Sequence, residues 1–212
     1  MSTYTVLRHP LVNDRIRTLR DRETDTELFR RALRELGLIL AVESTRHLAT
    51  RETAVITPLG VEAKCEEVDS TRVLLVPVLR AGLGFMESFL EFLPKAKVAH
   101  VGVARDHETL EAGVYLSSVP GNTDDYDDVF VLDPMLATGN SSVKVLELLA
   151  RTGFSESKIK LCCGFAVEPG IKQVHQRFPK VHIITATIDG RLNEFGYIVP
   201  GLGDAGDRLF LL

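Results

Sequence analysis

The most chemically pointed stretch of this sequence is Val129-Phe130-Val131-Leu132-Asp133-Pro134-Met135-Leu136-Ala137-Thr138-Gly139-Asn140-Ser141-Ser142. An apolar run ends in one carboxylate, a proline stops it, and small and hydroxylated residues follow. After them Val143 to Leu149 carry a helical pattern. A strand feeding a bare turn that opens a helix leaves free backbone N–H groups at the helix N-terminus, which suits a phosphate. Thr138, Ser141 and Ser142 add hydroxyl donors, and Gly139 lets the backbone approach closely. Asp133, just upstream, is placed to accept hydrogen bonds from a hydroxylated group carrying that phosphate, such as a ribose. The same residues also read as an Asp-Pro turn and an ordinary helix N-cap, and residue types alone do not choose between the two.

Other chemical signatures fall away. No G-x-x-x-x-G-K-[ST] loop occurs. Gly201-Leu202-Gly203-Asp204-Ala205-Gly206 fits G-x-G-x-x-G, but a dinucleotide fingerprint needs a preceding strand, a following helix and an acid about 20 residues on. Six residues follow Gly206. The stretch is expected to be a tight loop whose exposed backbone contacts a flat ligand. There is no Ser-His-Asp or Cys-His constellation and no H-E-x-x-H spacing. His100 is expected within a strand, and His107 in a loop is the histidine worth testing.

The elements around these residues alternate. Helices are expected over Leu11 to Arg20 and over Thr24 to Leu48, the second opened by a capping box, Thr24-x-x-Glu27. Its stripe of Leu28, Ala32, Leu33, Leu36, Ile39 and Leu40 marks a core or subunit-interface face. Strands are expected over 72–78, 97–104, 129–132, 159–167 and 181–188. Helices are expected over about 84–93, from the hydroxyl-rich turn to near Gly153, and over about 169–178. Near-continuous apolar strands alternating with helices indicate a mostly parallel sheet covered on both faces, an α/β class. In such sheets ligands bind beyond the carboxyl ends of the strands, where Asp133 lies. The polar segment 105–128 reads as a hairpin or flap leaving the sheet.

Composition narrows the class. The 212 residues carry 25 Lys and Arg against 29 Asp and Glu, a formal charge of -4. That balance is poor for a nucleic-acid or membrane-surface binder. Three cysteines, Cys65, Cys162 and Cys163, make neither a disulfide framework nor a metal clip, and Cys162-Cys163 is expected in a buried strand. The N-terminal stretch lacks the apolar core of a signal peptide and no run approaches a membrane span. A cytoplasmic setting is the expectation.

The phosphate-loop stretch resembles the phosphoribosyl-pyrophosphate (PRPP) motif of type I phosphoribosyltransferases, in the form found in the uracil phosphoribosyltransferase family. Three further stretches agree in order: Pro77-Val78-Leu79-Arg80-Ala81-Gly82-Leu83-Gly84; Arg105 with Glu108-Thr109-Leu110; and Asn193 to Asp207, reading NEFGYIVPGLGDAGD. With His9-Pro10-Leu11-Val12 the resemblance spans nearly the whole chain. It implies one phosphoribosyltransferase domain over 1–212: a helical N-terminal segment at 1–50, a flap at 105–128 and a base-binding hood at 189–212.

The implied reaction joins uracil to PRPP, giving UMP and pyrophosphate in pyrimidine salvage. By the same resemblance Arg80 and Arg105 meet the pyrophosphate. Asp133, Pro134, Met135, Leu136, Ala137, Thr138, Gly139, Asn140 and Ser141 hold the ribose 5-phosphate part, with Asp133 on the ribose hydroxyls. Ile198, Gly203, Asp204 and Ala205 take uracil, largely through the main chain. Asp204 also acts through Mg2+ or its waters. The Mg2+ is expected to be held mainly by substrate oxygens and waters rather than by a protein cage.

Three places depart from the family pattern. Asn140 stands where a second glycine is usual, Phe85-Met86-Glu87-Ser88 replaces Met-Met-Asp-Gly, and Glu168-Pro169-Gly170 inverts Pro-Glu-Gly. Asn tolerates left-handed backbone, so the loop is expected to keep its shape. A homodimer or higher homo-oligomer is expected from the apolar surface of the long helix and from the resemblance, and a purine nucleotide is a candidate effector. Two other readings stay open: a non-catalytic PRPP or nucleotide sensor with the same fold, and a phosphoribosyltransferase for another base.

Overall fold

The computed structural model describes residues 4–105 and 112–211. A short strand β1 (Tyr4–Val6) leads into helices α1 (Pro10–Arg20) and α2 (Thr26–Ser44), then a hairpin of β2 (Thr50–Ile56) and β3 (Glu62–Val68). Next come β4 (Val73–Leu79), α3 (Leu83–Phe92), β5 (Lys97–Val98), β6 (Val101–Arg105), β7 (Ala112–Ser117), β8 (Asp128–Leu132), β9 (Met135–Leu136) and α4 (Asn140–Thr152). The chain closes with β10 (Ile159–Val167), α5 (Glu168–Arg177), β11 (His182–Asp189), β12 (Arg191–Leu192), β13 (Ile198–Val199) and α6 (Ala205–Phe210).

The main sheet runs β1-β11-β10-β8-β4-β6-β7, with β5 beside β4 and β9 beside β10. Its pairings are parallel except β6 with β7. Strand residues alternate between two apolar cores, which is why the strands read as unbroken hydrophobic runs. Phe130, Leu132, Cys162 and Phe165 enter the core under α1, α2 and α3, beside Leu33, Leu36, Phe85 and Phe89. Val129, Val131, Leu161 and Cys163 enter the other, beside Leu146 and Leu149 of α4 and Ile171 and Val174 of α5.

Local chemistry moves some boundaries. The helix α2 has no Thr24–Glu27 capping box. Asp25 caps it, its Oδ1 accepting from the Leu28 N–H at 2.8 Å, while the Thr24 hydroxyl donates to the Thr18 carbonyl at 2.7 Å. The helix ends at Ser44, and its buried stripe centres on Phe29, Leu33, Leu36 and Leu40, with Leu28 left 40% exposed. Most of that stripe packs in the chain's own core. The segment 97–104 is two strands. β5 pairs with Leu74 and Leu75, whereas β6 shifts to Val78 and Leu79. His100 lies in the break, its N–H donating to Ser118 Oγ at 2.8 Å. β1 and the β2–β3 hairpin were not anticipated from sequence.

Cys162 and Cys163 are fully buried on β10, and burial pushes the Cys162 thiol up to about 12 and the Cys163 thiol well upward too. Cys65 is exposed on β3. The thiolate is the reactive form, so N-ethylmaleimide on the native protein is expected to add one equivalent, at Cys65. Intact mass of the Cys65→Ser variant should show no adduct until denaturant is added. No helix among the described residues is long and apolar enough to cross a membrane.

Candidate active site

Three strands bring their carboxyl ends to one sheet edge. At the end of β4 the Leu79–Arg80 peptide is cis. The turn then presses so tightly on its neighbours that a Cβ on Gly82 would overlap the Leu132 carbonyl and stand 2.5 Å from the Val78 nitrogen. Only glycine admits that approach. It binds the Arg80 turn to the end of β8, where Asp133 follows.

Asp133 is buried, 8% exposed. Its N–H donates to the Cys162 carbonyl at 3.1 Å, and its Oδ1 accepts from the Met135 N–H at 3.2 Å. One hydrogen bond does not offset the loss of water, and burial pushes the carboxyl up to about 7. Beyond it the chain stays on the sheet: the Pro134 carbonyl accepts from Gly164 and Phe165 N–H groups at 3.0 and 2.9 Å, and β9 pairs with Phe165 and Ala166. Gly139 then turns at φ +84° as the N-cap of α4.

The left-handed residue is thus Gly139. Asn140 is the first helical residue and has no positive φ, so the substitution asks nothing unusual of an asparagine backbone. The loop rests on the first turn of α5. A Cβ on Gly139 would stand 2.9 Å from the Gly170 carbonyl, and one on Gly170 would overlap the Ala137 carbonyl. The order Glu168-Pro169-Gly170 keeps its glycine where that contact needs one.

The opposite wall comes from the C-terminal stretch. After Asp189, β12 and β13 pair antiparallel around a turn built on Asn193, whose Oδ1 accepts from the Phe195 and Tyr197 N–H groups at 3.0 and 2.9 Å. Gly196 has φ +81°, and a Cβ added there would stand 3.6 Å from the Thr138 methyl. Gly201 and Gly203 also have positive φ, and the Val199–Pro200 peptide is cis. Asp204 caps α6, its Oδ1 accepting from the Asp207 N–H at 2.9 Å. The helix start faces Arg80, whose Nη2 stands 3.6 Å from Asp207 Oδ1.

Between these walls lies a cavity of about 450 Å³. It gathers Arg80, Asp133, Met135, Ala137, Ser141, Ile198, Gly203, Asp204 and Ala205 from segments far apart in sequence. Pro134 and Leu136 are buried in the sheet, and they, Thr138, Gly139 and Asn140 shape the loop without lining the cavity. Arg105 ends β6; its side chain, with His107, Glu108, Thr109 and Leu110, lies outside the described residues. Sequence reasoning gave Val103 and Phe195 no site role, whereas Tyr197 and Gly206 line the cavity from the stretch expected to contact the base. Val103 was findable, two residues before Arg105 and therefore on the same strand face.

The arrangement offers a cation and backbone N–H groups for anions, a buried carboxylate for hydroxyls, and a main-chain surface for a flat ring. Among the described residues no three His, Cys, Asp or Glu side chains converge as a metal cage. Asp133 and Asp204 are the carboxylates on the cavity wall. A pair of hard oxygen donors fits a Mg2+ that keeps waters and substrate phosphates as its other ligands.

The comparisons agree with this geometry. A family model described as uracil phosphoribosyltransferase matches residues 6–211. A uracil phosphoribosyltransferase of Thermosipho melanesiensis is 45% identical over 205 residues, covering 97% of each chain. The solved AQ2163 protein of Aquifex aeolicus superposes with a TM-score of 0.88 at 36% identity, covering 99% of this chain and 98% of that one. An adenine phosphoribosyltransferase of Trypanosoma brucei, solved with AMP, pyrophosphate and ribose-5-phosphate, shares the fold at 14% identity and a TM-score of 0.56, over 96% and 89% of the two chains. With the phosphate-type loop, the arginine turn and the glycine-rich wall all in place over its full span, this chain belongs to the uracil phosphoribosyltransferase family.

Proposed function

We propose that the protein transfers the 5-phosphoribosyl group of PRPP to uracil, giving UMP and pyrophosphate. The observation that carries this reading is the single cavity in which Arg80, Asp133, Ser141 and the backbone of Gly203–Ala205 meet. Family membership supplies the substrate pair.

In this reading the turn Ala137–Ser141 receives the 5-phosphate at the start of α4, and Asp133 accepts from the ribose hydroxyls. Arg80 and Arg105 hold the pyrophosphate, a guanidinium fork being matched to phosphate oxygens. As the C1–oxygen bond breaks, negative charge grows on the leaving group, and fixed cations lower that barrier. Uracil lies against Ile198 and Gly203–Ala205, where main-chain donors and acceptors read its carbonyls and N–H. Mg2+ bound with PRPP would supply further charge neutralisation there, and Asp204 at the helix cap is the residue that would meet it or its waters. The segments 105–128 and 189–212 act as flap and hood of one domain.

A homodimer or larger assembly belongs to the same proposal. Its support is the β2–β3 hairpin, where Ile56, Leu59 and Val61 are 70%, 88% and 62% exposed. A cytoplasmic setting and a purine nucleotide effector complete the proposal on family resemblance.

The test mixes the protein with uracil, PRPP and Mg2+ and follows UMP by chromatography. UMP is expected from the wild type, with a roughly 10-fold lower rate from Asp204→Asn, whose amide still caps α6. Folded protein that binds PRPP and forms no UMP would move the reading to a sensor. UMP at an equal rate from both would remove Asp204 from the chemistry.

A further inference from the structure

The proposed base-binding loop has a mechanical weakness. Gly201 and Gly203 flank Leu202, with φ values of +58° and +84°. Each of the peptide planes on either side of Leu202 therefore borders a glycine, the residue with the least steric resistance to rotation. A flip of such a plane exchanges an N–H for a C=O at its position, because the two point in opposite directions across a trans peptide. In a site that reads a ring by main-chain groups, that exchange rewrites the recognition pattern.

Two arginines remove this freedom. Arg20, the last residue of α1, donates from Nη1 to the Gly201 carbonyl at 2.8 Å and to Asp189 Oδ2 at 2.8 Å, and from Nη2 to Asp189 Oδ1 at 2.5 Å. The Gly201 N–H donates to the same Asp189 Oδ2 at 2.8 Å. Both backbone groups of Gly201 are thus held by one ion pair. Asp189 is 6% exposed at the end of β11, and the Arg20 guanidinium lies over the Phe165 ring at 4.9 Å.

The second guanidinium takes the next carbonyl. Arg208 Nη1 donates to Leu202 O at 2.9 Å and to Leu19 O at 2.5 Å, and Nη2 to Asp21 O at 2.8 Å, with its Cζ 4.2 Å over Phe29. With the Leu202 carbonyl turned to Arg208, the Gly203 N–H of the same plane must point the other way.

We propose that Arg20 and Asp189 are positioning residues for uracil recognition: they fix the Gly201–Leu202 peptide plane, on which the neighbouring Leu202–Gly203 plane held by Arg208 is built, and so help set which main-chain groups Gly203–Ala205 present to the base. The proposal rests on the reading of that loop as the base site. Neither residue touches the cavity, so the effect passes through the loop. It also gives α1 a part in base choice, although α1 lies at the far end of the sequence.

The test measures KM for uracil and for PRPP separately in Arg20→Gln, Arg20→Lys and Asp189→Asn, together with the kcat/KM ratio for uracil over cytosine. Arg20→Gln is expected to raise KM for uracil roughly 10-fold and to erode the uracil preference, leaving KM for PRPP unchanged. Arg20→Lys keeps the charge but not the fork and should recover part of both. Hydrogen exchange adds a readout independent of turnover: amides of Gly203–Gly206 should lose protection while those of Val143–Leu146 in α4 keep theirs. If Arg20→Gln fails to fold, the comparison of Arg20→Lys with wild type decides. Both KM values rising together, or an unchanged uracil KM and preference in folded variants, would overturn the proposal. A wild type that forms no UMP would defeat the functional reading instead, and loop exchange in the variants would still report whether the ion pair fixes the loop.

Discussion

Replacing Gly170 by alanine will lower turnover roughly 100-fold and raise KM for PRPP, although residue 170 faces no substrate. The added Cβ would overlap the Ala137 carbonyl and sit 2.9 Å from the Leu136 carbonyl. Both are backbone atoms, so no rotamer change relieves the clash. The Gly170 carbonyl is in turn the nearest atom to the open face of Gly139, so loop and helix are locked from both sides. Overpacking of this kind costs about 1–3 kcal/mol, and relieving it moves the Leu136–Ala137 backbone of the loop proposed to receive the phosphate. In the proposed reaction, displacement of the 5-phosphate by about 1 Å would account for the rate loss. Steady-state kinetics at varied PRPP, beside a thermal melt, checks the result. Gly121→Ala, which has nothing within 4 Å of the new methyl, should be silent. Unaltered kinetics in Gly170→Ala would mean that the loop does not need this support.

Much of this architecture was legible because burial on both faces writes itself plainly into a strand. Ile159 to Val167 is apolar almost without interruption, and the observed β10 has those bounds. The β2–β3 hairpin escaped for the opposite reason. Most of its residues are exposed, and its hydrophobic residues do not alternate into one buried face. What it did carry was a turn, Thr57-Pro58-Leu59-Gly60, with Gly60 at φ +74° and its N–H donating to the Thr57 carbonyl at 2.9 Å. The helix α2 shows a subtler limit. Thr24 and Asp25 are both sound caps by type, and the choice fell to Asp25 because the Thr24 hydroxyl was claimed by Thr18 in the preceding helix.

The site divides the same way. Asp133, Ser141 and the glycines of the last loop were readable because strand ends and helix starts have local signatures. The meeting of Asp133 with Arg80 was legible as a shared sheet edge, because both residues follow buried strands, whereas the contact that closes it, the Gly82 turn against Leu132, was not. The ion pair of Arg20 with Asp189 joins residues 169 positions apart. No periodicity or motif connects an arginine at a helix end to an aspartate at a strand end, and only the folded sheet brings them together.

Asp133→Asn separates catalysis from stability most sharply, because the two will move in opposite directions. The carboxyl titrates near 7 in the folded chain against 3.8 as its ordinary value, with burial as the cause. The folded protein therefore holds a proton that the unfolded chain releases between those values. Stability of the unliganded protein falls as pH rises from about 4 to about 7 through this group, then levels off. At about 1.4 kcal/mol per pKa unit the ceiling on that loss is ~4 kcal/mol. An asparagine imitates the protonated form and escapes it. Urea melts are expected to show no gain for the variant at pH 4, a rising gain toward pH 7 and a constant one at pH 8. If Asp133 has the proposed role, turnover will fall by roughly 100- to 1,000-fold over the same range, because an amide loses the charge that would accept from the ribose hydroxyls. Those hydroxyls favour the ionised carboxylate, so PRPP binding to the wild type near pH 7 should release a proton that the variant lacks. A carboxylate kept only to stabilise the turn after β8 would behave otherwise: its removal would weaken the fold at pH 8 and leave proton release on binding unchanged.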